Sequence, residues 1–169
     1  AEYAEIVRRH DGVIDGIVPE VSRESVKRHV RETLGELENI YRGVYLIRDL
    51  SRKTSDTIVS YGERLSSFII SHIIDGAVLY DSCEFIKTVD RFDKHIVDFE
   101  VTDRLISERF KKLPRVALVP GFIPTDAITG EITHLGRGGS DYTASILAAR
   151  PGAPQPENWT DVDLSLIHI

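Results

Sequence analysis

Leu135-Gly136-Arg137-Gly138-Gly139-Ser140-Asp141 places three glycines in four positions between an apolar arm and a run of small residues. This stretch constrains the chain more than any other. Glycine tolerates positive φ and leaves backbone N–H groups unshielded. The small-residue segment 142–149 reads as a helix beginning near Ser140 or Asp141, so its N-terminal dipole and free N–H groups would face the loop. Arg137 adds a planar fork suited to carboxylate or phosphate, Ser140 adds a hydroxyl, and Asp141 can cap the helix or position a cation. The pattern is that of an anion-binding loop. It has no Gly-Lys-Ser/Thr and has Asp141 where a dinucleotide fingerprint needs glycine, so neither familiar phosphate motif fits. Alone, it also reads as a tight turn before a helix.

The rest of the chain has to supply a sheet and helices around that loop. Residues 21–50 read as helix: Val26, Val30, Leu34, Leu37, Tyr41 and Val44 fall on one face, at steps of three and four. Ser22 or Ser25 is the expected cap, and Gly35 and Gly43 raise the prospect of two helices. Residues 54–74 read as a second helix with Ile58, Leu65, Phe68, Ile69 and Ile73 in a stripe. Gly62 inside it costs about 1 kcal/mol relative to alanine, which suggests close approach of another backbone or a ligand. Strands are expected at 77–80, 85–88, 115–119 and 158–162, a short helix at 102–110, a turn at 126–130 with a hairpin arm at 131–135, and a proline-rich connection at 150–157. Strands alternating with helices imply an α/β domain with a mostly parallel sheet, whose ligands bind beyond the carboxyl ends of the strands.

Composition excludes several function classes. A chain of 169 residues with net charge -6 has no basic excess for nucleic acid or anionic membrane. No apolar run approaches the ~20 residues of a spanning helix. One cysteine, Cys83, cannot build a disulfide framework, so a reducing, cytoplasmic setting is the default. Its acidic neighbours Asp81 and Glu84 favour the neutral thiol, which reads as inert. The six histidines show no metal-ligand spacing, and His72, in an apolar helical stretch, reads as structural. The chain opens on Ala1 and contains no Met, so a missing N-terminal portion is expected.

Three further segments are candidates for chemistry. Ser60-Tyr61-Gly62-Glu63-Arg64-Leu65-Ser66 places Glu63 beside the unusual Gly62; read alone, it is a solvated helical glutamate. Val119-Pro120-Gly121-Phe122 is a strand-end loop, where binding residues sit, or an ordinary turn with a core Phe. Trp159-Thr160-Asp161-Val162-Asp163 puts two carboxylates and a hydroxyl at a strand end, which reads as a turn or as a nucleotide- or Mg²⁺-facing group.

In their order and spacing, these three segments and the glycine loop closely resemble the aspartokinases of the amino-acid kinase superfamily, roughly over residues 50–163. The resemblance implies an α/β fold: a partial three-layer αβα sandwich of the amino-acid kinase type, with a mostly parallel sheet and a helical N-terminal half. Residues 1–163 would be a partial catalytic domain, with 1–50 a variable helical region and 164–169 a non-family tail. It further implies ATP-dependent phosphorylation of the L-aspartate side-chain carboxylate to 4-phospho-L-aspartate, the step that opens lysine, threonine and methionine biosynthesis, with ATP and Mg²⁺ as cofactors. Glu63 would bind the aspartate ammonium and Arg137 a substrate carboxylate. Phe122, Gly138 and Ser140 would line the aspartate pocket. Asp141 would organise groups around the transferring phosphoryl, and Thr160 and Asp161 would contact the nucleotide. A homo-oligomer is implied for the full-length protein, and the nearest likeness is to the type fused to homoserine dehydrogenase.

The sequence departs from the family in ways that matter. The family's opening Lys-Phe-Gly-Gly-Thr strand has no counterpart, and Leu164-Ser165-Leu166-Ile167-His168-Ile169 does not continue the nucleotide-binding region. The expectation is an internal portion of a kinase with little or no activity alone, since losing charge stabilisation at a transferring phosphoryl costs several kcal/mol, and each ~1.4 kcal/mol is tenfold in rate. The alternatives are a non-catalytic aspartate-binding module and another amino-acid kinase, against which Ser60-Tyr61-Gly62-Glu63-Arg64 speaks.

Overall fold

The computed structural model describes residues 2–91 and 94–149. They form an α/β structure with five α-helices and two small sheets. The expected strand at 158–162, the connection at 150–157 and the tail at 164–169 lie outside the described residues.

Residues 2–71 form an antiparallel helical pair backed by a third helix. Helix α1 (Glu2–Ile17) stops before Pro19, which has no N–H to continue it. Arg23 Nε donates to the free Val18 carbonyl at 2.8 Å. Helix α2 (Glu20–Ile47) is continuous through Gly35 and Gly43; its apolar face is buried on either side of Gly35, at Leu34 and Leu37, while beyond Gly43 Tyr45, Leu46 and Ile47 are exposed. Its N-cap is Pro19, and Ser22 lies inside the first turn with its hydroxyl donating back to the Pro19 carbonyl. The expected serine cap is therefore corrected. Val26, Val30, Leu34 and Leu37 are buried, whereas Tyr41 is half exposed, so the stripe outruns the core it serves. Lys27–Asp15 and Arg31–Asp11, both at 2.7 Å, tie α2 to α1.

Helix α3 (Arg52–Ser71) is capped by Ser51, whose hydroxyl accepts from Thr54 N at 3.1 Å. Tyr61, Leu65 and Ile69 pack with Ile14, Val18 and the buried face of α2 in one core. No atom lies within 4 Å of a Cβ built on Gly62, so the close approach expected there is absent among the described residues.

A second core sits under the strands. Strands β1 (Ala77–Leu79) and β4 (Val116–Leu118) pair in parallel. Strand β2 (Lys87–Arg91), two residues later than expected, pairs in parallel with β5 (Thr125–Asp126) and antiparallel with β3 (Lys94–Val97). The β3 strand was not expected, because Lys94-His95-Ile96-Val97 has too little alternation to stand out. The described strands thus make two sheets, one of them mixed. Helix α4 (Phe99–Arg109), capped by Asp98, supplies Ile106, and α5 (Gly139–Ala148) supplies Ile146. These pack on Tyr80, Phe85, Ile86 and Val97. The hairpin arm expected at 131–135 reduces to a Thr125–Ile132 bridge with flanking bonds from Thr133 N to Pro124 O and from Leu135 N to Phe122 O, both 3.0 Å.

Candidate active site at the start of helix five

The carboxyl end of β4 runs into Val119-Pro120-Gly121-Phe122, where the parallel-sheet argument places a ligand loop. Phe122 has φ +71, unusual for an aromatic residue. Ile123 N donates to Gly121 O at 2.8 Å, closing a three-residue turn around it. Positive φ with an i to i+2 bond is the strained form of the γ-turn. The surroundings over-determine it: Phe122 N donates to Thr143 Oγ1 at 3.1 Å, and Phe122 O accepts from Leu135 N. Beneath it, Ser82 Oγ and Cys83 Sγ both donate to Ile123 O, at 2.8 and 3.3 Å. Burial, and then the Asp81 carboxylate, pushes the Cys83 thiol up to about 12.

The glycine loop lies against this turn. Gly136 and Gly138 have φ +74 and +72, and Gly138 is the N-cap of α5, which begins at Gly139, slightly earlier than expected. No side chain caps it, which corrects the expectation that Asp141 might. Asp141 instead sits in the first turn, where the helix dipole favours a carboxylate. Here the N–H groups have no carbonyl of their own helix in front of them. A Cβ on Gly121 would meet Ser140 Cα at 2.7 Å, and one on Gly139 would meet Phe122 Cδ2 at 2.9 Å. The two turns interlock through their glycines.

Phe122, Gly138 and Ser140 are thereby brought together, with Arg137 and Asp141 on the same loop and helix end. Arg137, Ser140 and Asp141 are exposed. Glu63 is half-buried on α3; among the described residues its side chain makes no hydrogen bond or ion pair with the loop. Thr160 and Asp161 lie outside the described residues. A cavity of about 450 Å³ between α2, α3 and the β1 end reaches Pro120 and Arg64 but not the glycine loop. Four of its charges pair, Arg64–Asp81 at 3.4 Å and Arg109–Glu84 at 3.2 Å, and Glu36 accepts from the Tyr61 hydroxyl at 3.4 Å. Among the described residues no three His, Cys, Asp or Glu side chains are grouped to hold a metal, and no helix is long and apolar enough to cross a membrane.

Sequence reading missed one constellation. Asp56, 4% exposed on α3, lies 3.3 Å from His134 Nε2 and 3.6 Å from His95 Nε2. The His134 ring stacks on Phe122, with centroids 5.4 Å apart and planes 4° from parallel. Long sequence separations hid the group; only folding gathers it.

The amino acid kinase family model matches residues 7–164. Aspartokinase 1, chloroplastic, of Arabidopsis thaliana is 33% identical over 138 residues, covering 77% of this chain and 24% of the relative. Lysine-sensitive aspartokinase 3 of Escherichia coli (strain K12) is 33% identical over 156 residues, covering 85% of this chain and 32% of the relative. Among solved structures, E. coli aspartokinase III in complex with aspartate and ADP matches with TM-score 0.71 at 29% identity, over 86% of this chain and 33% of that one. The complex with lysine and aspartate matches with TM-score 0.75 at 24% identity and the same coverages, a likeness of fold. The chain spans about a quarter to a third of the length of these relatives.

Proposed function

The chain belongs to the amino acid kinase family, among the aspartokinases, and from that premise we propose that it carries the L-aspartate side of an aspartokinase active site. The reaction is transfer of the ATP γ-phosphoryl group to the side-chain carboxylate of L-aspartate, with 4-phospho-L-aspartate and ADP as products. The observation that carries this reading is the interlock of Gly121-Phe122 with Gly139-Ser140 at the open end of α5, beside Gly138 as its N-cap. It presents an exposed guanidinium, a hydroxyl and unshielded amides on one rigid support.

Arg137 pairs with a substrate carboxylate, and its planar fork suits a bidentate grip. Glu63 takes the substrate ammonium. Phe122, Gly138 and Ser140 line the pocket. Asp141, at the positive end of α5, organises the groups around the transferring phosphoryl. Thr160 and Asp161 are assigned to the nucleotide by family likeness alone. Mg²⁺ arrives with ATP, since this ion takes one or two carboxylates and otherwise phosphates and water. Catalysis of this kind rests on positioning and charge neutralisation. In the complete enzyme the two small sheets belong to the three-layer αβα sandwich, and turnover needs cationic groups beyond those at this loop.

Calorimetry with aspartate and ATP titrated separately, together with an aspartate-dependent ADP-release assay, tests the reading. Aspartate heat that disappears in Arg137→Ala, with little or no ADP release from the isolated chain, is the expected result. Aspartate heat without ATP heat would favour a non-catalytic binding module. A folded chain that binds no aspartate would sink the proposal.

A further inference from the structure

We propose that His134 is a positioning residue for the aspartate pocket, joining the three segments that carry the pocket's residues; this rests on the functional reading above. Gly136 N donates to His134 Nδ1 at 3.1 Å. A ring nitrogen that accepts carries no proton, so the neutral ring holds its proton on Nε2. That nitrogen stands 3.3 Å from Asp56 Oδ1, and the carboxylate is 4% exposed. A buried carboxylate facing Nε2 favours this tautomer over the other. The same ring stacks on Phe122, the residue with the strained backbone.

One imidazole therefore touches α3, the Phe122 turn and the glycine loop. Asp56 and Glu63 are seven residues apart on α3, two turns along nearly one face. Fixing His134 against Asp56 thus sets α3, and Glu63 with it, relative to the loop. Accepting from Gly136 N orients the Leu135–Gly136 peptide, one peptide upstream of the bond that carries Arg137 N. Stacking on Phe122 supports the left-handed backbone conformation there, which is strained for an aromatic residue. His95 completes the surroundings: it lies 3.6 Å from the other Asp56 oxygen, its ring 6.2 Å from that of His134. Neither of its ring nitrogens has a hydrogen-bond partner among the described residues. Its position leaves His134 as the histidine that reaches the loop.

The test has two arms on the 169-residue chain. Nitrogen-15 NMR of labelled histidine reads the tautomer directly, and the Nε2-protonated form is expected for His134; the Nδ1-protonated form would overturn the proposal. Calorimetry then reads aspartate affinity in the wild type, in His134→Phe, which keeps a ring on Phe122 but neither nitrogen, and in His134→Asn, whose amide oxygen can replace Nδ1 as acceptor. Aspartate binding is expected to weaken about tenfold or more in His134→Phe and to recover only partway in His134→Asn, which restores the acceptor to Gly136 N but neither the ring on Phe122 nor the reach to Asp56. Equal affinity in wild type and His134→Phe, or full wild-type affinity in His134→Asn, would overturn it. A folded wild type that binds no aspartate fails at the functional reading itself, a result distinguishable from failure of the positioning role because the tautomer is measured independently.

Discussion

Gly121 and Ser140 approach so closely that a methyl group on Gly121 would lie 2.7 Å from the Ser140 Cα. The obstacle is backbone, which cannot swing aside as a long side chain would. Gly121→Ala must push the Phe122 turn away from α5, and overpacking of this kind costs about 1–3 kcal/mol. Gly62 is the contrast, a helical glycine whose Cβ would meet nothing within 4 Å. Gly62→Ala is expected to stabilise the chain by about 0.5–1 kcal/mol through helix propensity. Thermal melts of the two variants, moving in opposite directions, check both.

Arg137 is exposed on the glycine loop, so its removal should leave folding intact. A hydrogen bond to a charged group contributes about 1.5–3 kcal/mol. Arg137→Ala is therefore expected to weaken aspartate binding by about 10- to 150-fold with an unchanged melting temperature, measured by calorimetry and scanning calorimetry on the same sample. A matching loss of stability would place Arg137 in the fold instead of the pocket.

Cys83 is buried and its thiol is pushed up to about 12. Reactivity belongs to the thiolate, and at pH 8 about one molecule in ten thousand carries it. Thiol-specific reagents should label the folded chain slowly at that pH and rapidly in denaturant. Fast labelling of the folded chain would show that the Ser82–Glu84 turn opens readily.

Asp126 organises the turn before the bridged segment at Ile132. Its carboxyl is held below the ordinary range chiefly by the Thr129 backbone N–H, with Ile128 N–H assisting and burial opposing. Bonds of 2.8 and 2.9 Å from these amides accompany it. A carboxyl lowered in the folded state stabilises fully above its unfolded pKa, about 3.9, and the contribution is lost as pH falls through the lower folded value. The melting-temperature advantage of wild type over Asp126→Ala should be constant near neutrality and shrink below about pH 4. An advantage that grows on acidification would contradict the assignment.

Helices were the most legible part of the fold. Val26, Val30, Leu34 and Leu37 announce a buried face through spacing alone, because helical period and apolar burial are both local properties of the chain. Strands β1 and β4 were legible for a similar reason, as short apolar runs bounded by turns. Strand β3 and the late start of β2 were not, because strand pairing is decided by the partner: Thr88 faces Val97, and His95 faces Asp90, across a register that no single segment encodes. The serine cap of α2 failed because Pro19 sets where that helix begins.

The loop Gly136–Asp141 was readable as an anion cradle because glycine spacing, a basic fork and a following helix are local features. Sequence by itself determined that these residues would form a turn and a helix start, and that Gly121 and Phe122 would end a strand. Tertiary structure decided that the two turns lock together, that Phe122 takes a left-handed backbone, and that Asp56 and His134 meet beneath it. Contacts between segments so far apart in sequence carry no local signature. They arise only when the surrounding strands and helices bury enough apolar surface to hold the strained Phe122 turn against the glycine loop.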